Sequence, residues 1–242
     1  MDELKVQMDR IRPKVGNFIF FKVWGSRSHN THLPESDTDY IGVYLASTKS
    51  VLGLHPPSDT IDNTEGEKPD YQLHEAKKFC QLLMKGNPGI VEMLFTDRMC
   101  AEEPAWLEVK EERKRFLTRE SVKQYLGYAE GQLKRLAAHG GKAGLHTKGG
   151  DYNEKWAYHL VRLLYDARRI AKGAEPVVWK EEGSAEHVHL MNIRRNQYSR
   201  ENIERAAREM IAEIDSLKPW PIPETADEDF LNKWLLALRG IT

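Results

Sequence analysis

The chain has 242 residues, 40% of them hydrophobic and 30% charged, with 36 Lys and Arg set against 37 Asp and Glu. That length holds one large domain or two modest ones, and the composition excludes a disordered chain. The near-balance of charge excludes a protein that coats duplex nucleic acid by charge alone, while leaving room for a local basic groove.

Residues 1–12 read as a short amphipathic helix stopped by Pro13. The run NFIFFKVW (17–24) is aromatic and β-branched enough for a strand, and DTDYIGVYLA (37–46) for another. After the polar loop DNTEGEK, a short third strand is expected at PDYQLH (69–74). EAKKFCQLLMKG is a helix ended by Gly86, and Asn87-Pro88 opens the next, GIVEMLF. Beyond about residue 100 no strand is expected. Helices are predicted at 119–138, with Thr118 as N-cap, and at about 152–172. Another runs from Ser199 to Leu217, and Thr225 to Glu228 reads as a capping box for a last helix ending near Arg239. The expected fold is α+β: an N-terminal mixed sheet with flanking helices (1–117), then a helical bundle (118–242). Cys80 and Cys100 lack metal-like spacing, the N-terminus is charged throughout, and no run approaches the ~20 apolar residues of a membrane span. A cytoplasmic protein is expected.

The stretch FKVWGSRSHNTHLPESDTDYIGVYL (21–45) carries the chemistry. Strand alternation puts Asp37 and Asp39 on one face, where like charges repel unless a cation sits between them. Mg²⁺, a hard cation that takes one or two carboxylates plus substrate phosphates, is the natural compensator. Gly25 and Ser26, at a strand-to-helix turn, offer a closely approaching backbone, an amide and a hydroxyl for phosphate oxygens. The plainer alternative is a simple loop followed by a turn.

These residues resemble the polymerase-β nucleotidyltransferase superfamily, whose pattern is Gly-Ser, a spacer of this length, then Asp-x-Asp. More narrowly, GSRSHNTHLPESDTDYIGV is similar to a block of the predicted nucleotidyltransferases named for an RNA-repair association. YQLHEAKKFCQLLMKGNPGIVEMLF and DYNEKWAYHLVRLL resemble two later blocks of the same family, in the same order. The chain departs at His29 and Asn30, where that family often has tyrosine and glycine. The resemblance implies a third carboxylate before the Lys-Phe helix, with Asp70 first and Asp59 and Asp62 as fallbacks. It further implies two Mg²⁺ ions (Mn²⁺ as substitute) held by Asp37, Asp39 and Asp70, clamping an attack on an NTP such as ATP. Gly25, Ser26 and Arg27 would then hold the leaving phosphates.

On the helix from Asn153, Lys155, His159, Arg162, Asp166 and Arg169 fall within an arc of roughly 80°. Periodicity alone reads that arc as a solvated face. The family likeness instead expects Lys155, His159 and Arg162 to face the cleft and contact triphosphate or acceptor. HGGKAGLHTKGG (139–150) is either a connector or a lid over phosphates, and NIRRNQYSR (192–200) either a solvated loop or a nucleic-acid contact. His187 and His189 are assigned no role. The leading expectation is transfer of a nucleoside monophosphate to an RNA (tRNA) end. The alternatives are a protein or small-molecule acceptor, or an inactive nucleotide- or RNA-binding protein.

Overall fold

The structure is a computed structural model and describes residues 2–63, 68–138 and 151–241. The glycine-rich stretch 139–150 lies outside the described residues. In chain order the N-terminal half contains α1 (Asp2–Val15), β1 (Asn17–Trp24), the single turn α2 (Gly25–Ser28) and β2 (Asp39–Leu45). It continues with α3 (Thr48–Val51), β3 (Thr60–Asp62), β4 (Tyr71–Glu75), α4 (Ala76–Met84) and α5 (Pro88–Leu94). β5 (Cys100–Glu102) and α6 (Pro104–Glu111) complete it. The helical half holds α7 (Arg119–Ala138), α8 (Glu154–Ala171), α9 (Ala185–Arg194), α10 (Arg200–Ser216) and α11 (Glu228–Leu238).

The fold is thus mixed α+β, with a five-stranded sheet in the order β3-β4-β2-β1-β5. Only β2 and β4 pair in parallel; the other neighbours are antiparallel. Alternation along the strands feeds two cores. Phe18, Phe21, Tyr40, Tyr44 and Leu73 pack on one face with Leu4, Ile11 and Val15 of α1. Phe20, Ile41 and Val43 point the other way, into an apolar core continuous with the helices of the second half. The last helix returns to the sheet half, where the Trp234 indole donates to the Ala105 carbonyl at 2.9 Å.

Several expectations need correction. The first helix does not stop at Pro13 but runs on to Val15, because buried Ile11 and Val15 anchor both sides of the proline. The second strand begins at Asp39 rather than residue 37. A strand, β5, does lie beyond residue 99, held on the edge of β1. The last helix is capped by Asp227, whose carboxylate accepts from the Phe230 amide at 3.0 Å, rather than by Thr225. The caps at Asn87 and Ser199 lie where their chemistry placed them, and Thr118 Oγ1 accepts from the Ser121 amide ahead of α7.

Candidate active site

Sheet register builds the site. Trp24, the last residue of β1, pairs with Asp39, the first of β2. On the other side the Tyr40 amide donates to the Asp70 carbonyl at 2.9 Å, extending the β2–β4 ladder back to that aspartate. The end of β1 and the starts of β2 and β4 therefore meet at one end of the sheet. Gly25 leaves β1 with φ +68°, and a Cβ there would lie 2.9 Å from Asp39 Oδ2. Only glycine lets the turn pass so close over that carboxylate.

Beside this end of the sheet opens a cleft of about 500 Å³, lined on one side by Gly25, Ser26, Asp37, Asp39, Lys68 and Asp70. Glu154, Lys155, Tyr158 and His159 of α8 and Arg194 of α9 also line it. Among the described residues the Ser26 hydroxyl makes no hydrogen bond and the Lys155 ammonium no ion pair. Lys68 spans two aspartates, its ammonium 3.1 Å from Asp37 Oδ2 and 3.1 Å from Asp70 Oδ2. That ammonium holds the Asp70 carboxyl below the usual carboxylate range. Asp39 goes the other way: partial burial raises its pKa, and the neighbouring Asp70 charge adds to the rise. His159 is exposed in the cleft; desolvation, then the cations Arg162, Arg194 and Lys155, lowers its pKa, so the ring is neutral near pH 7.

The donor set suits Mg²⁺ or Mn²⁺: three carboxylates supply hard oxygens, and the repulsion felt by Asp39 is what a divalent cation relieves. Among the described residues, however, no three His, Cys, Asp or Glu side chains already converge as a metal site. Asp37 and Asp70 are turned toward Lys68 instead. The fallback carboxylates lie off the cleft, with Asp59 paired to Lys78 at 3.0 Å and Asp62 on β3.

Two expected phosphate contacts are placed elsewhere. Arg27 Nη2 donates to the Ser36 carbonyl at 2.8 Å, bracing the loop rather than lining the cleft. Arg162 is buried behind the cleft wall and donates to Glu92, itself 0% exposed on α5. The expectation that it faces the cleft is therefore corrected, and the solvated-face reading of the α8 polar arc fails at Arg162 and Asp166, while Lys155 and His159 are exposed. Burial alone would lower the Arg162 pKa, but the Glu92 charge outweighs it and holds the guanidinium protonated. Further along α8, Asp166 is likewise buried, accepting from Arg169 at 2.9 Å and from the Val177 amide at 3.0 Å.

The helical half grips the Gly-Ser loop. His29 is buried, its Nδ1 3.0 Å from the Val178 carbonyl and its Nε2 3.6 Å from Glu92 Oε2. Asn30 adopts φ 57°, a conformation asparagine tolerates, and donates to the Lys180 carbonyl at 3.0 Å. Thr31 is tied to Tyr158 Oη at 2.7 Å and, through its carbonyl, to Arg194 at 2.6 Å. Tyr158 and Arg194 were not expected from sequence as parts of the site. Tyr158 is silent in the helix periodicity, and Arg194 sat within a stretch that read as a solvated loop or nucleic-acid contact rather than the end of α9.

A mixed sheet whose strand ends gather aspartates beside a Gly-Ser turn marks the chain as a polymerase-β-type nucleotidyltransferase. It belongs to the RNA repair pathway DNA polymerase beta family, whose family model matches residues 2–236. An uncharacterized 38.9 kDa protein of Enterobacteria phage T4, from the nrdC-mobD intergenic region, is 25% identical over 130 residues. That match covers 49% of this chain and 38% of the phage protein. Among solved structures, a nucleotidyltransferase-like protein from Exiguobacterium sibiricum 255-15 aligns over 99% of this chain and 77% of its own. It does so at 14% identity and a TM-score of 0.33, a likeness too slight to carry residue roles. No described helix is long and apolar enough to cross a membrane.

Proposed function

We propose that the protein is a metal-dependent nucleotidyltransferase of the EC 2.7.7 type, moving a nucleoside monophosphate from an NTP to a hydroxyl at an RNA end, tRNA included. Pyrophosphate is the second product. One observation carries this reading: Gly25, Ser26, Asp37, Asp39 and Asp70 share a cleft with Lys155 and His159. Asp37, Asp39 and Asp70 would hold Mg²⁺, which neutralises phosphate charge and lowers the pKa of an attacking hydroxyl. Ser26 donates its free hydroxyl to the departing phosphates, and Lys155 sets a point charge against them. His159, neutral, offers an N–H without adding charge. Catalysis by these groups is positioning and charge neutralisation, with no covalent intermediate on the chain. The RNA acceptor follows the description of the family.

Protein incubated with Mg²⁺, α-labelled NTPs and total RNA should place label in RNA and release pyrophosphate, with Asp37→Asn and Asp39→Asn each inactive. Full transfer by both variants would overturn the site, and label appearing on protein instead would overturn the acceptor.

A further inference from the structure

Glu154 is the first residue of α8 and lines the cleft, yet its side chain serves neither the aspartate end nor the fold's ion pairs. The residue is only 4% exposed, and its Oε2 has no hydrogen-bond partner among the described residues. An enclosed carboxylate oxygen without a donor is costly, and native structures keep such groups for a reason. A favourable place in the first turn of a helix accounts for its charge but not for its seclusion on a cleft wall.

Arg194 lines the same cleft and is 8% exposed. One of its terminal nitrogens donates to the Thr31 carbonyl, and its guanidinium lies 5.4 Å from the centre of the Tyr158 ring. Its Nε, by contrast, is enclosed and unpartnered among the described residues. No ion pair joins Arg194 to Glu154, although each acts on the other electrostatically. The wall thus encloses an unsatisfied acceptor and an unsatisfied donor just behind the cleft surface, flanked by an aromatic ring whose hydroxyl is already engaged by Thr31.

We propose that this wall is the nucleoside subsite and that it recognises the Watson–Crick edge of guanine. The inference rests on the nucleotidyltransferase reading. A carboxylate accepts two parallel N–H donors, and guanine alone among the common bases offers two adjacent ones, N1–H and the 2-amino group. Guanine O6, next in line on that edge, is the acceptor that an arginine N–H requires. Adenine presents a single amino group beside an acceptor, which would leave one carboxylate oxygen unpaired. Lys155, adjacent in sequence, is close enough for its charge to act on Asp39, and the wall and the aspartates line one cleft.

Isothermal titration of the intact protein in Mg²⁺ with GTP, inosine triphosphate, ATP and 2′,3′-dideoxy-GTP tests it. Inosine triphosphate lacks only the 2-amino donor, and the dideoxy compound only the ribose hydroxyls. Wild type should bind GTP on the order of ten- to a hundredfold more tightly than inosine triphosphate or ATP, the range a charge-assisted hydrogen bond provides. Glu154→Gln should bring the GTP-to-inosine ratio near one at an unchanged Tm, a shift in selectivity that a purely helix-stabilising residue would not produce. Equal GTP and inosine binding with loss of the dideoxy compound would assign the carboxylate to the ribose and overturn the base assignment. NTP binding with a ratio indifferent to Glu154→Gln would overturn the subsite altogether. Failure of every NTP to bind wild type would instead bring down the nucleotidyltransferase reading beneath it.

Discussion

Replacing Arg162 by methionine separates a structural arginine from a phosphate-binding one. The guanidinium is buried against Glu92, whose Oε2 already lacks a hydrogen bond and has only His29 at 3.6 Å. Burial, the largest cause of the His29 pKa lying well below the usual histidine value, persists when Arg162 is removed, so the ring is a poor replacement for the arginine charge. Arg162→Met therefore strands a carboxylate in the core, a lesion that costs about 3–5 kcal/mol. For a chain of this size, that corresponds to a fall in Tm of roughly 6–20 °C, read by circular dichroism. Adding Glu92→Leu should recover much of the loss, since an apolar pair of matched volume replaces a buried ion pair at little cost. Lys155→Met gives the contrast: an exposed side chain without an ion pair, whose loss weakens NTP binding while Tm stays put. Arg162→Met with wild-type melting and reduced NTP affinity would refute the reasoning and return Arg162 to the cleft.

Two further outcomes are expected. Gly25→Ala forces a Cβ against Asp39 Oδ2 at a positive φ. It should cost about 1–2 kcal/mol of stability in a urea melt but on the order of a hundredfold in pyrophosphate release, because it moves a carboxylate that the proposed reaction uses. Burial lowers the Lys22 pKa to about 7, against 10.5 in the unfolded chain. Between those values the unfolded state binds more protons, so stability should rise with pH from 7 toward 10.5, by on the order of 1 kcal/mol per unit. Lys22→Met should flatten that slope, and identical slopes would refute the burial cost.

Strong periodic signals carried much of the fold in the sequence. β1 and β2 announce themselves by aromatic and β-branched runs and β4 only by a short segment after a polar loop, while α5, α7 and α10 do so by a cap followed by a repeating apolar face. β3 and β5 are three residues each, too short for alternation to register, and exist because β4 and β1 offer them an edge. α9 hid because its length in sequence looks polar; only contact with α8 gives Leu190 and Ile193 a buried face. Within the site, local chemistry pointed to Gly25, Ser26, Asp37 and Asp39, whose proximity follows from strand register. The Arg162 arc misled because a polar stripe on a helix looks the same whether it meets water or a buried glutamate supplied by a distant segment. Glu154 carried no signal at all: an acidic residue after an asparagine cap is what any helix start looks like.

Thr31 has a mechanical consequence. It is 0% exposed, bonded through its amide to the Ser26 carbonyl at 2.9 Å, through its hydroxyl to Tyr158 and through its carbonyl to Arg194. A molecule that draws the tyrosine or the arginine toward itself pulls on that one threonine, and the serine turn feels the tug. On the proposed function, filling one end of the cleft and seating phosphates at the other would thereby be geared together.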